Sequence, residues 1–339
     1  MGVKLTAVLP VHELEFEDLK NKIVVVDGFL VLYQFITTIR QQDGTPLRDS
    51  KGRITSHLQG LFSRTTNMIQ KGIKLAFVFD GEAPALKKRI HEKRALAKTE
   101  AMRNHEIAVQ EENIELMKKY AGRTARLSVE MVDEAKRLLD ALGIPWVQAP
   151  SEGEAQAAAI VARGDAYAVG TQDADAFLFG APRVIKNLTL SEKKKSPNKL
   201  SFITIKPERI ELAEILSSLG ISQQQLIAMG ILVGTDYNPG GIHGIGAKKA
   251  LKLVKEHKNL NGLFSSVSWE KHFDFSWKEI FQTIEKIPVT ENYSLKWGSY
   301  DETKVIDLLC EEHDFSRERI SSSLQKIMPA KQQGLERWT

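Results

Sequence analysis

Two short apolar runs that each end on an aspartate constrain the fold most strongly. Residues 22–27 (KIVVVD) and 74–80 (KLAFVFD) lack polar alternation, a pattern typical of strands buried on both faces of a parallel sheet. Helices are predicted over residues 28–40, 56–70 and 129–142, between or after these runs. Strands that alternate with helices predict an α/β protein with a mostly parallel central sheet flanked by helices.

Residues 150–180 (PSEGEAQAAAIVARGDAYAVGTQDADAFLFG) add four carboxylates to this scheme. Ser151 and Glu154 predict a capping box at the start of an Ala-rich helix, which Gly164 ends. A strand is predicted over residues 166–171. The carboxyl ends of parallel strands meet at one edge of a sheet, where open α/β folds bind ligands. We therefore expect one carboxylate cluster at that edge, made of Asp27, Asp80, Glu152, Glu154, Asp173, Asp175 and, from a later loop, Asp236.

The chemistry of such a cluster favours a bound cation. Carboxylates about 4 Å apart repel by roughly 4 kcal/mol at an effective dielectric near 20, so they take up protons or bind metal ions. Oxygen ligands without His or Cys suit Mg²⁺ or Mn²⁺ better than zinc. Helix capping explains Glu154 equally well, because acidic residues suit a helix N-terminus. It does not explain Asp173 and Asp175, and a metal site is the stronger interpretation.

Residues 83–126 are strongly charged, helix-prone and poor in apolar side chains. Lys87, Arg94 and Lys98 are spaced by seven and four residues, which places them on one stripe of a helix. A solvated helix with i,i+4 ion pairs explains this pattern. A basic lid that touches nucleic-acid phosphates explains it as well. Charge alone does not decide between the two.

A strand is predicted over residues 201–205, and residues 259–320 are predicted to form a packed helical region. Pro207 is expected to open one helix and Ser222 to cap the next. The run from Gly244 to Gly246, followed by Lys248 and Lys249, resembles a helix-hairpin-helix element. Its glycines would let backbone N–H groups approach a phosphate, with the lysines alongside. A plain helix–loop–helix is the alternative.

Composition sets broad limits. The net charge of +4 and a pI near 8.9 hint at a polyanionic partner without identifying one. A single cysteine, Cys310, excludes an internal disulfide framework and suggests a reducing compartment. No apolar run approaches the length of a transmembrane helix, and the first ten residues lack the apolar region of a signal peptide. We therefore expect a cytoplasmic protein without membrane contact.

The chain resembles the archaeal flap endonucleases of the XPG family of structure-specific nucleases over nearly its whole length. The segments that carry the resemblance are KIVVVDG, YQFITTIRQ, DGTPLRDSKGRITSHL, FVFDG, APSEGEAQAA, TQDADAFLFGAPR and ILVGTDYNPGGIHGIG. It implies a PIN-like 5′-nuclease fold with a helical arch. The implied regions are an N-terminal nuclease region (1–98), the rest of the arch (99–128), an internal nuclease region with the hairpin (129–258), a C-terminal helical region (259–328) and a clamp-binding tail (329–339). Residues 1–328 would form one compact nuclease domain.

The resemblance also implies roles for individual residues. The positions of Asp27, Asp80, Glu152 and Glu154 serve one metal ion, and those of Asp173, Asp175 and Asp236 serve a second. Lys87 and Arg94 match residues that reach the scissile phosphate from the base of the arch. Tyr33 lies near the nucleotide at the cleavage site, and Arg40 lies near the strand backbone. The segment that receives a 3′ flap corresponds to residues 42–55, and Gly2 to a processed N-terminus beside the active site. The expected DNA contacts are Tyr33, Arg40, Gln42, Lys51, Arg53, Thr55, Lys98, Gly244, Gly246, Lys248 and Lys249.

The last eight residues, QQGLERWT, resemble a sliding-clamp (PCNA) binding box. Gln332, Leu335 and Trp338 have the spacing that a short 3₁₀ turn places on one side. Thr339 stands where the box ends on an aromatic residue. A frayed polar tail is the alternative.

These features together predict a nuclease that cleaves 5′ flaps at branched DNA in replication, Okazaki fragment maturation and repair. Associated 5′–3′ exonuclease and gap endonuclease activities are expected. Two Mg²⁺ ions, replaceable by Mn²⁺, would serve hydrolysis of the phosphodiester. We expect a monomer in the archaeal cytoplasm, associated with the nucleoid. The alternatives are a related junction resolvase or RNA-directed nuclease, a magnesium-dependent phosphatase of small esters, and a non-catalytic DNA-junction or clamp-binding protein.

Overall fold

The computed structural model of the chain describes residues 3–88, 126–188, 193–195 and 202–327, with backbone alone for 193–195 and 202–204. The strands in these ranges are β1 (His12–Glu13), β2 (Ile23–Asp27), β3 (Lys74–Phe79), β4 (Trp146–Gln148), β5 (Ala168–Gly170), β6 (Arg183–Lys186), β7 (Lys193–Lys195), β8 (Phe202–Thr204) and β9 (Glu208–Glu211). The α-helices are α1 (Gly28–Thr38), α2 (Ser56–Gln70), α3 (Val129–Ala141), α4 (Gly153–Ala162), α5 (Asp175–Leu178), α6 (Leu212–Leu219), α7 (Gln223–Val233), α8 (Ala247–Glu256), α9 (Leu260–Ser266), α10 (Trp277–Glu285), α11 (Glu302–Ile306) and α12 (Arg317–Gln325).

Within the described ranges, seven strands form one mixed sheet in the order β1-β9-β6-β5-β2-β3-β4. Strands β6, β5, β2, β3 and β4 run parallel, and β9 and β1 add to one edge in antiparallel pairing. Strand β2 is central, paired with β3 and β5 on its two sides. The prediction of a mostly parallel sheet flanked by helices is therefore confirmed.

The apolar runs supply core residues to both faces of the sheet because side chains alternate along a strand. In β2, Val24 and Val26 pack into a cluster with α1, α2 and α3, whereas Val25 packs into a second cluster with α4 and α7. Strand β3 repeats this alternation, with Phe77 on the first face and Val78 on the second. This burial on both faces explains why neither run alternates with polar residues.

Two predictions of local structure are wrong. Pro207 does not open a helix: β9 follows it and pairs with β6, and α6 begins only at Leu212. Ser151 does not cap α4, because Glu152 is the N-cap residue and the Ser151 hydroxyl donates to the carbonyl of Glu82, 2.9 Å away. In both places a contact with a residue distant in sequence overrides the structure that the local sequence pattern predicts.

The predicted hairpin consists of α7, a glycine-rich turn and α8. Ser222 caps α7 in a capping box with Gln225, as predicted. Gly234 and Gly241 adopt positive φ angles of 112° and 57°, and a Cβ on Gly241 would lie 2.3 Å from the backbone carbonyl carbon of Val233. The turn therefore requires glycine at this close approach.

No single helix among the described residues is long and apolar enough to span a membrane. Helices α6 and α7 pass that test of length and composition only as a pair, bent by 86°.

Candidate active site

The two strand-end aspartates stand side by side at the carboxyl edge of the sheet. Asp27 ends β2 and caps α1, where its Oδ1 accepts a hydrogen bond from the backbone N–H of Leu30 at 2.9 Å. Asp80 follows β3, and its Oδ1 accepts from the N–H of Gly153 at 2.7 Å. A Cβ at Gly153 would also lie 2.7 Å from that oxygen, so glycine permits this contact.

A lysine lies among the carboxylates. Lys87 is part of a helical turn at residues 85–88, and its Nζ donates to Glu152 Oε2 at 2.5 Å. The same Nζ is 3.8 Å from Asp236 Oδ2. Burial works against its charge, but the contact with Glu152 raises the pKa of Lys87. The lysine is therefore a cation held inside the acidic edge.

The third group of carboxylates surrounds the short helix α5. Asp175 opens this helix, and its Oδ1 accepts from the backbone N–H of Val3 at 2.7 Å. The hydroxyl of Thr171 donates to Glu154 Oε1 and accepts from the N–H of Asp173, both at 3.2 Å. The N-terminal segment and β5 thus orient carboxylates that are far apart in sequence.

Electrostatic coupling shows that the seven carboxylates converge. Burial raises the pKa of Asp27 to about 7, with Asp80 as the next cause. Burial likewise raises the pKa of Asp175 to about 7, with Asp236 adding to it. The pKa of Glu154 is raised well above its usual value by burial and then by Asp175. Burial also raises the pKa of Glu152, despite Lys87. We name this set the carboxylate edge: Asp27, Asp80, Glu152, Glu154, Asp173, Asp175 and Asp236.

The carboxylate edge fits a hard divalent cation by its chemistry. As placed in the described ranges, no three His, Cys, Asp or Glu side chains lie close enough together to hold a metal ion without moving. The oxygens that converge here are nevertheless all of the type that Mg²⁺ and Mn²⁺ prefer. Glu152 Oε1 is buried and has no hydrogen-bond partner among the described residues. Because a buried carboxylate oxygen without a partner is costly, this atom is a natural ligand position.

The two predicted DNA contacts on and just after α1 differ in their surroundings. Tyr33 is 41% exposed, which leaves its ring open to a partner. The guanidinium of Arg40 donates to the carbonyls of Thr37 and Gly44, at 3.0 and 2.7 Å. Arg40 therefore holds the turn after α1, and burial lowers its pKa.

The segment at residues 42–55 lines one wall of an open cavity of about 920 Å³. Arg48, Ser50 and the buried Thr55 line this wall, which we name the loop wall. Arg319 and Lys326 line the opposite wall, on and after α12. Gln42 and Lys51 are exposed nearby, whereas Arg53 is held by Asp49 at 2.7 Å.

The hairpin presents its predicted contacts to solvent. Gly244, with a φ of 77°, and Gly246, the N-cap residue of α8, are exposed. Lys248 and Lys249 are exposed on the first turn of α8. Backbone N–H groups and two cations thus lie together at a helix start, the arrangement that suits a phosphate.

Some predicted residues lie outside the described ranges: Gly2, Arg94, Lys98, most of the predicted arch, and the tail with Gln332, Leu335 and Trp338. Three contributors near the carboxylate edge were not predicted. Val3 and Thr171 contribute only hydrogen bonds, which no sequence pattern marks. Tyr237 has a buried hydroxyl without a partner in the described part of the chain, and burial raises its pKa. Its position directly after Asp236 is the only sequence signal for it.

A mostly parallel sheet with carboxylates converging at one edge is typical of metal-dependent enzymes that cleave phosphate esters. Comparison with known families agrees: residues 1–101 match the XPG N-terminal domain, and residues 143–236 match the XPG I-region. The catalytic core of Rad2 in complex with DNA substrate has the same fold, with a TM-score of 0.69 at 24% identity over 94% of this chain and 96% of that one.

The particular family follows from relatives of the same length. Flap endonuclease 1 of Staphylothermus marinus is 49% identical over 100% of this chain and 99% of its own length. Flap endonuclease 1 of Pyrococcus furiosus is 48% identical with the same coverage. The structure of flap endonuclease-1 from Methanococcus jannaschii aligns with a TM-score of 0.75 at 41% identity, over 96% of this chain and 98% of that one. The chain therefore belongs to the flap endonuclease family, whose members are metal-dependent nucleases.

Proposed function

We propose that this protein cleaves 5′ flaps at branched DNA, in replication, Okazaki fragment maturation and repair, with associated 5′–3′ exonuclease and gap endonuclease activity. The observation that carries the proposal is the convergence of the carboxylate edge around Lys87 in a chain of the flap endonuclease family. The substrate is recognised by shape, because no described element has the features of a major-groove reader.

Two Mg²⁺ ions, replaceable by Mn²⁺, are the proposed cofactors, held by the seven residues of the carboxylate edge. When bound, such ions activate water and neutralise charge on the scissile phosphate. The chain's own contributions are separate. Lys87 Nζ, already at the edge, would donate to a phosphate oxygen as negative charge develops there, together with Arg94. Asp175 and Asp80 are kept in place by the N–H groups of Val3 and Gly153.

The remaining residues hold DNA. Tyr33 would stack on the nucleotide at the cleavage site. The hairpin, with Gly244, Gly246, Lys248 and Lys249, would hold duplex phosphates without reading sequence. The 920 Å³ cavity would receive an unpaired 3′ end, because arginine and lysine side chains from both walls can meet its phosphates. Arg40 and Arg53 would act by holding the turn and the loop wall that present this surface.

The tail at residues 329–339 would bind the sliding clamp through Gln332, Leu335 and Trp338. We also propose a cytoplasmic, nucleoid-associated monomer whose residues 1–328 form one nuclease domain. Deletion of 329–339 should leave cleavage of a free flap unchanged and remove the stimulation by the clamp. Equal stimulation of both forms would contradict the role of the tail.

The decisive experiment compares 5′-flap, nicked, gapped and four-way junction DNA in one gel assay, with Mg²⁺ and with EDTA. Cleavage of the flap that is faster than cleavage of the nicked, gapped and four-way DNA, and that EDTA abolishes, supports the proposal. A preference for the four-way junction would indicate a resolvase, and turnover of a small phosphate ester but no DNA would indicate a phosphatase. Binding of the flap without cleavage in Mg²⁺ would indicate a non-catalytic junction protein.

A further inference from the structure

A buried histidine connects the loop wall of the 920 Å³ cavity to the body of the protein. His313 is 2% exposed and lies between the π-helical turn at Asp307–Glu311 and α12. Its Nδ1 is hydrogen bonded to Asp49 Oδ2 at 3.0 Å. Its Nε2 is 3.2 Å from Glu134 Oε1 of α3, within ion-pair distance but outside hydrogen-bond geometry. The His313 ring therefore lies between two carboxylates, one from the loop wall and one from α3.

Both ring nitrogens of His313 face a carboxylate, and this arrangement selects the protonated ring. A neutral imidazole has one N–H and one lone pair, so one of the two contacts would set a lone pair against a carboxylate oxygen. An imidazolium donates from both nitrogens. The contact with Glu134 raises the pKa of His313 in agreement with this geometry, although burial opposes it.

The surroundings of His313 include one more histidine and two arginines, each paired with a carboxylate. His57 on α2, fully buried, also contacts Glu134, with Nε2 to Oε2 at 2.9 Å. Its Nδ1 has no partner among the described residues. The charged groups that face His313 are Asp49 and Arg53 from the loop wall, Glu134 from α3 and Glu312 beside it, and Glu312 is itself paired with Arg137. Asp314 accepts from the N–H of Ser50 at 2.7 Å.

We propose that His313 is a positioning residue for the cavity: as an imidazolium it bridges Asp49 to Glu134, fixes the loop wall against α3, and thereby makes recognition of an unpaired 3′ nucleotide depend on pH. This inference rests on the proposed role of the cavity in receiving that nucleotide. The contacts of the Ser50 N–H with Asp314 and of Arg53 with the carbonyl of Glu312 do not involve His313 and hold the wall independently of its charge. Among the described contacts between the loop wall and the rest of the protein, the one through His313 changes charge near neutral pH.

The direction of the pH dependence follows from the two contacts of His313. Loss of the proton removes one charge-assisted contact, and such contacts are stronger than neutral hydrogen bonds. The loop wall is therefore held best at acidic and neutral pH and is released as pH rises through the raised pKa of His313. Recognition of the 3′ nucleotide should weaken in the same direction.

The test compares two 5′-flap substrates that differ only by one unpaired 3′ nucleotide, assayed from pH 6 to pH 9.5. The ratio of their kcat/KM values removes the pH dependence of the chemical step, which both share. In the wild type this ratio should fall about tenfold as pH rises, the scale of one charged hydrogen bond. The His313→Gln variant should give a low, flat ratio, with its loss mainly in KM.

Three further variants separate positioning from general structural damage. His313→Lys keeps a cation and should restore part of the ratio without a titration near neutral pH. Asp49→Asn removes one of the two anions and should move the midpoint of the pH profile to lower pH. His272→Gln replaces an exposed histidine and should match the wild type. The wild-type and Asp49→Asn profiles test the proposal even if His313→Gln does not fold.

A ratio independent of pH in the wild type, an unchanged profile in His313→Gln, or an unmoved midpoint in Asp49→Asn would each overturn the role of His313. These outcomes are distinct from failure of the proposed function, which would appear as no flap cleavage at any pH.

Discussion

The molecule buries carboxylates in two regions. The two regions offset the cost of burying negative charge in opposite ways. At the carboxylate edge, Asp27 and Asp175 have pKa values raised to about 7 because they are buried beside other anions. At the cluster of Asp49, His57, Glu134 and His313, which we name the histidine bridge, contacts with His313 and His57 overcome the effect of burial and lower the pKa of Glu134 to about 2. The first region carries more negative charge than its surroundings can neutralise, and the second is neutralised by its own residues.

This difference separates a binding site from a structural link. A buried anion with an internal partner needs nothing from solvent and stabilises the fold at neutral pH. Buried anions that repel one another gain free energy only from protons or from an external cation. Lys87 supplies one positive charge at the carboxylate edge, against seven carboxylates. The remaining imbalance is the physical reason to expect metal ions there and none at the histidine bridge.

The largest expected effect tests the catalytic side of this comparison. Asp175→Ala or Asp80→Ala should reduce flap cleavage by at least about three orders of magnitude, because metal-assisted stabilisation is worth several kcal/mol and each 1.4 kcal/mol is tenfold in rate. Flap binding, measured by fluorescence anisotropy in Ca²⁺, should change little. Glu214→Gln, half-buried on α6 beside His12, is the control with the same loss of one negative charge. Unchanged turnover, or loss of folding, would count against the assignment.

The next effect tests the histidine bridge. Glu134→Gln should lower the free energy of unfolding by about 2 kcal/mol at pH 7, because it removes the partner of two buried imidazoles. The pKa of Glu134 is depressed, so its contribution is present above pH 4.5 and lost as pH falls toward 2. Urea unfolding at pH 7 and pH 3 should therefore show a difference between variant and wild type that shrinks in acid. Asp133→Asn, exposed on the same helix, should show no such difference.

A smaller change in the free energy of unfolding, of opposite sign, is expected at the carboxylate edge. Asp27→Asn keeps an N-cap side chain for α1 but removes one repelling charge, so in EDTA it should stabilise the protein by about 1 kcal/mol at pH 7.5. Addition of Mg²⁺ should stabilise the wild type more than the variant, because binding to the folded state adds stability. Destabilisation of the metal-free variant would show that the carboxylate edge is neutralised internally, and the contrast with the histidine bridge would be lost.

The two regions also differ in how far the sequence predicts them. The strand-end positions of Asp27 and Asp80 follow from apolar runs, and those of Asp173 and Asp175 from the next strand along the chain, so the carboxylate edge was predictable from local patterns. The histidine bridge was not, because His313 and Asp49 are 264 residues apart and lie in no shared pattern. The same reason explains the wrong helix at Pro207: its segment is a strand only because β6 offers an open edge. Tertiary contacts decide what short local signals leave open.

The smallest expected effect concerns charge that is not buried at all. Lys248 and Lys249 are exposed at the start of α8, where water and salt screen them. The double change to Gln should weaken binding of flap DNA only a few-fold near 0.1 M salt and reduce the slope of log Kd against log salt by about one for each lost phosphate contact. Lys252 and Lys255, on the later turns of the same helix, provide a control double change with the same loss of net charge. An equal loss in both variants would mean that only net charge matters, whereas a loss confined to Lys248 and Lys249 would place a phosphate at the helix start. We expect kcat to be unchanged in both variants. Such a result would show that the exposed lysines bind DNA and that catalysis depends on the buried carboxylates.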